Sequence, residues 1–188
     1  MKIDSFRSFL VFYKRGDELK KGNFMSERRH SSLIPLSHDH HQGLVLALRL
    51  TKRRSLAPES KWPRDLAGQA EATLAFYREQ LLPHFHVEEE VLFPCLSPFL
   101  KPQETLVSDL IEEHKKMGGL IAELRSALHP GTRLDEILSR FGILLAHHIR
   151  DEERKLFPLF EERVPEAEAR QIGEEISRAL GREAPELN

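Results

Sequence analysis

His84-Phe85-His86-Val87-Glu88-Glu89-Glu90-Val91-Leu92-Phe93-Pro94 and His148-Ile149-Arg150-Asp151-Glu152-Glu153-Arg154-Lys155-Leu156-Phe157-Pro158 share one pattern, H-x-x-x-E-E-x-x-L-F-P. The offset is constant at 64 residues: 148 less 84, 152 less 88, 158 less 94. Histidine and glutamate four apart lie on one face of a helix, one turn from each other. A single such pair is ordinarily a solvated i,i+4 contact. Two copies in register point to two similar half-units.

A second pair of motifs supports the duplication. Asp39-His40 opens one half and Glu113-His114 the other, each ahead of a long apolar stretch. The histidine-to-histidine separation is 44 residues in the first half (84 less 40) and 34 in the second (148 less 114). A loop at 55–62 and a longer second helix absorb the difference.

Apolar spacing predicts four long helices and a short fifth. The first begins at Pro35 and runs to about Arg54. The second starts at Pro63 and runs to about Phe93, kinked at Pro83 and stopped by Pro94 and Pro98. The third follows Pro102 and ends at Pro130-Gly131, and the fourth spans about Leu134 to Phe160. Pro165 opens the last, a solvated surface helix rich in Glu and Arg and able to cap or pair with the bundle. No strand is expected. The fold class is all-α, an up-down-up-down four-helix bundle with a short extra C-terminal helix. It divides into an N-terminal extension (1–32), the bundle (33–162) and a C-terminal helix and tail (163–188).

In an antiparallel bundle the start of one helix lies beside the end of the next. His40 then meets His84 and Glu88, and His114 meets His148 and Glu152. Six imidazole and carboxylate donors from four helices suit two metal ions. One zinc ion needs only three or four ligands and would leave charged groups buried without a partner. Imidazole and carboxylate without thiolate favour iron, with manganese or zinc as substitutes. His40 is preferred to His41 because the half-repeat aligns it with His114. His38, His41, His86 and His147 are expected around the site or on the surface, and His30 and His129 in solvated segments.

Composition narrows the alternatives. Among 188 residues, 40% are hydrophobic and 31% charged, as in a soluble globular domain. Lys and Arg number 28 against 30 Asp and Glu, a formal charge of −2, which argues against a nucleic-acid binder. A local basic patch remains at Lys52, Arg53 and Arg54. No apolar run reaches transmembrane length, and no secretory leader pattern is expected at the N-terminus. The single cysteine, Cys95, fits a reducing cytoplasm and reads as inert packing.

The paired H-x-x-x-E-E-x-x-L-F-P ends and their D/E-H starts resemble the hemerythrin-like (HHE) family of cation-binding domains over about residues 33 to 162. The resemblance implies a four-helix bundle with a non-haem di-iron site on His40, His84, Glu88, His114, His148 and Glu152. It implies a protein that binds or senses O2, NO, or redox or iron status, without an enzymatic step. The alternative is a di-iron oxidase, peroxidase or NO-handling enzyme. A metal-free interaction module leaves the repeat unexplained. The pattern departs from oxygen-carrying hemerythrins at one place. They carry a fifth histidine one turn after the third, where this chain has Gly118. That leaves an open coordination position, a water or an additional carboxylate there, and argues against reversible oxygen carriage. With no output domain in the pattern, a protein partner or a homo-oligomer would read the state of the site.

Overall fold

Proline 35 is the second residue of the first long helix, where its fixed φ suits the helix and its missing N–H costs nothing. The computed structural model describes residues 29–52, 62–128 and 133–182, and among them every regular element is helical. A 3₁₀ turn, Ser31–Leu33, leads into α1, Ile34–Lys52. Helix α2 is continuous over 66–99, α3 is Leu106–Ser126, α4 covers 134–163 and α5 is Glu166–Ala179. Asp65 caps α2 by accepting from the Gly68 N–H at 2.8 Å. Residues 1–28, Arg53, Arg54, His129 and the Pro130-Gly131 stop lie outside the described residues.

Neighbouring long helices run in opposite directions. His40 of α1 meets His84 of α2, while Arg49 of α1 lies over Trp62, ahead of α2. Tyr77 reaches Gly118 and Glu89 reaches His114, so α2 opposes α3. Glu113 pairs with His148 and Glu123 with Arg140, so α3 opposes α4. Helices α1 and α4 approach most closely where Gly142 faces α1. A Cβ there would lie 2.9 Å from Leu50 Cβ and 3.0 Å from the Ala47 carbonyl.

Two apolar clusters form. One holds Leu46, Leu50, Phe85, Met117, Phe141 and Leu145, the other Leu36, Leu92, Phe93, Leu110, Leu156 and Phe157. Along every long helix the proposed ligands fall between the two: His40 after Leu36, His114 after Leu110, Glu88 before Leu92, Glu152 before Leu156. Burial of these side chains supplies the main drive for folding.

Three prolines lie inside helices that run on: Pro83 and Pro158 within the spans expected for α2 and α4, and Pro94 against expectation, since α2 continues to Phe99. Each follows a π turn: Tyr77–Leu81, Glu88–Leu92 and Glu152–Leu156. The N–H just before each proline bonds five residues back, from Leu82 to Tyr77, Phe93 to Glu88 and Phe157 to Glu152. A proline in an α-helix clashes with the carbonyl four residues earlier and leaves it without a donor. The wider turn relieves that clash, so the helix runs on.

The last helix is not simply solvated. Ala169, Ile172 and Ile176 are buried in the second cluster. Ser32, placed above in the extension, donates from its hydroxyl to the Ala169 carbonyl. Gly173 admits this approach, since a Cβ there would come within 2.8 Å of the Ser32 Cα. Gly181 ends α5 with φ 65°, a left-handed conformation that glycine adopts freely. The Arg182 N–H then bonds the Ser177 carbonyl, and the chain turns back toward α1.

Candidate metal centre

Each half of the repeat delivers an imidazole and a carboxylate from the middle of one long helix and an imidazole from its antiparallel neighbour. The structure brings His40, His84, Glu88, His114, His148 and Glu152 together, all buried, with both glutamates fully enclosed. The Nε2 atoms of His40 and His84 are 3.1 Å apart, and those of His114 and His148 3.0 Å. Two nitrogens each about 2.1 Å from one ion at a right angle would be separated by about 3.0 Å.

The carboxylates connect the two imidazole pairs. Glu88 Oε1 is 3.1 Å from His84 Nε2, and its Oε2 is 3.4 Å from His114 Nε2. Glu152 Oε1 is 3.3 Å from His148 Nε2, and its Oε2 is 3.2 Å from His40 Nε2. Candidate donor atoms of His40, His84, Glu88 and Glu152 all lie within 4.8 Å of one another, as do those of Glu88, His114, His148 and Glu152. All four carboxylate oxygens are buried without a properly directed hydrogen bond. Buried oxygens of this kind are costly unless a cation or donor meets them, so the donor set fits a pair of ions.

A family model described as the hemerythrin HHE cation binding domain matches residues 31–160 and, separately, 105–180. The chain belongs to this family. No curated protein and no solved structure matches it. The second match of the HHE domain begins at the second half of the repeat, just ahead of α3.

Each of the four buried imidazoles of this HHE domain is also held from behind. The Nδ1 of His40 lies 2.8 Å from Glu153, that of His84 3.3 Å from Asp39, that of His114 2.6 Å from Glu89 and that of His148 3.0 Å from Glu113. Carboxylates in this position fix the ring and aim Nε2 at the ion. They obey the repeat. The acid before each first histidine holds the second histidine of its own half, Asp39 on His84 and Glu113 on His148. The acid after each ligand glutamate holds the first histidine of the opposite helix pair, Glu89 on His114 and Glu153 on His40. The sequence displayed all four as repeated letters, but their partners required the fold.

Charge couples the layer. Burial opposes protonation of His84, yet the Glu88 charge and the Asp39 contact hold it up to about 9. Burial likewise opposes His40, and Glu152, Glu153 and Glu88 pull it well above the usual histidine range. Against burial, the charge of His84 and contacts with His114 and His40 hold Glu88 well below the usual carboxylate range. Glu153 is held at about 2, burial being outweighed by His40, Ser37 and Arg29. The raised imidazoles thus favour their protonated form beside the buried acids, and a cation held there would replace those protons.

The other histidines separate cleanly from the site. His38, His41 and His86 are exposed, and His147 is exposed beside Glu113 at 3.2 Å. His30 is half-buried rather than solvated, accepting from the Ser32 N–H and lying 3.2 Å from Glu166. Phe85 stacks on His114 with ring centres 3.9 Å apart, and Phe157 on His40 at 5.3 Å. The space beside Gly118 is filled by Tyr77, whose hydroxyl would lie 3.3 Å from a Cβ at that position. Sequence spacing put Tyr77 two turns from His84 and gave no sign that it faces α3. Cys95 is half-buried, and burial pushes its thiol up, as befits an unreactive packing residue. No described helix is long and apolar enough to cross a membrane.

Proposed function

We propose that this HHE domain holds a non-haem di-iron centre and binds or senses a small diatomic, O2 or NO, or the redox or iron status that accompanies it. In this reading α1 to α4 form an up-down-up-down four-helix bundle, with α5 as the extra helix. His40 and His84 hold one iron, His114 and His148 the other, and Glu88 and Glu152 serve both. The observation that carries the reading is the reach of each buried carboxylate to both imidazole pairs. Bound iron supplies one-electron redox chemistry and a position for a diatomic ligand. Phe85, Phe93, Phe141 and Leu145 keep bulk water from the site. Manganese and zinc are the substitutes that the same donors accept. The cytoplasm suits a chain with one cysteine, and a second copy or another protein reads the state of the site.

Elemental analysis of protein produced with iron in the medium tests the centre. Two iron per chain are expected, and Glu88→Ala or Glu152→Ala lowers that number. Visible spectra through anaerobic reduction and exposure to O2 or NO test the role. A stoichiometric, reversible change supports sensing, whereas sustained turnover with added reductant assigns the protein to the oxidase, peroxidase or NO-handling class instead.

A further inference from the structure

The repeat makes the inner ligands of the two halves equivalent, but the surroundings of the outer acids are not. Behind His84, Asp39 accepts from Arg182 at 2.5 Å. Arg182 also donates to the Pro35 carbonyl at 2.9 Å. Behind His40, Glu153 accepts from Arg29 at 2.7 Å, and Arg29 spans to Glu161 at 2.9 Å and lies over the Phe157 ring at 4.8 Å. Both guanidiniums arrive from outside the four long helices, one ahead of α1 and one after α5. In the other half the equivalent acids have different company. Glu113 turns its second oxygen to the His147 ring, and Glu89 is 40% exposed. The nearby Lys115 ammonium is bound to Glu112 at 2.6 Å.

We propose that Arg29 and Arg182 make the two ion positions unequal, so that a divalent cation binds more tightly at His114 and His148 than at His40 and His84. This rests on the metal-binding reading above. Two physical effects act in the same direction. Each guanidinium places a positive charge a few ångströms behind a ligand imidazole, which opposes a cation at that end of the pair. Each also shares the carboxylate that would otherwise accept the imidazole N–H alone, which makes the ring a weaker donor to metal. Arg29 and Arg182 are thus positioning residues that act through Glu153 and Asp39.

The test uses the full chain, stripped of metal and titrated with Co²⁺, read by visible absorption and by counting ions with native mass spectrometry. Two steps are expected in the unaltered protein, separated by about tenfold or more in Kd, the range that outer carboxylates typically command. Glu113→Gln should weaken the tight step and Asp39→Asn the loose one. Arg29→Gln with Arg182→Gln should tighten the loose step by about tenfold and leave the tight step in place. The Arg29→Lys and Arg182→Lys pair retains charge and should keep the two steps apart, an outcome that mere loss of packing would not give. Arg182→Gln alone provides a milder variant if the double substitution fails to fold. Equal affinities in the unaltered protein, or an unchanged gap in both glutamine variants, overturn the inference. Failure of the unaltered protein to take up Co²⁺ at all would instead overturn the metal-binding reading.

Discussion

Raising the pH of the metal-stripped protein should unfold it from the inside. His84 has an ordinary value of 6.5 and is held up to about 9 by Glu88 and Asp39, which overcome its burial. A group whose value rises on folding contributes stability that is complete below 6.5 and lost as pH rises through about 9. The gap corresponds to roughly 3 kcal/mol at about 1.4 kcal/mol per pH unit. His40 is displaced in the same direction and adds to the loss. Urea unfolding followed by circular dichroism, with chelator present, at steps between about pH 6 and pH 10 measures it. The unaltered protein should lose roughly 3 kcal/mol more across that window than His84→Gln, which has no proton to give up. Parallel pH profiles for the two proteins would refute the account of the buried layer. With metal bound the dependence reverses, because imidazoles must be unprotonated to act as ligands, so the loaded protein weakens as pH falls.

Other outcomes follow from the same geometry. Glu113→Gln should reduce metal affinity about 10- to 100-fold without changing the helical circular dichroism, since it touches His148 only from behind. Phe141→Ala removes a fully buried ring from the first cluster and should cost roughly 3–5 kcal/mol in urea unfolding. Gly142→Ala forces apart α1 and α4 against Leu50 and a backbone carbonyl, and a loss of about 1–3 kcal/mol is expected by the same assay.

Much of this was legible before any coordinates. The doubled motif picked out the six residues that the fold gathers in its polar layer, because a histidine and a glutamate four apart share a helical face and the repeat showed which faces correspond. His40 could be preferred to His41 by alignment alone, and the structure buries the first and exposes the second. What the chain could not show was whatever depends on the angle between helices. Asp39, Glu89, Glu113 and Glu153 stood out only as repeated letters, since each one's partner sits on another helix. Arg29 and Arg182 are 153 positions apart (182 less 29) and carry no local pattern. Tyr77 needed the α2–α3 contact to reveal its neighbour. Pro94 misled for a different reason. A proline normally signals a helix end, and the wider turn that cancels its clash leaves no mark in hydrophobic spacing.

That wider turn also sets how the protein can change over time. Glu88 and Glu152 each open a five-residue loop of backbone that hands the helix on to its proline. Removing a single amino acid between acid and proline would close the wide turn to an ordinary α turn and set the proline ring against the carbonyl four residues back. Exchanges of one side chain for another on the exposed side of those loops leave the path of the chain untouched. In this molecule the count of residues between acid and imino acid therefore decides the path of the chain more than most of the letters that fill it.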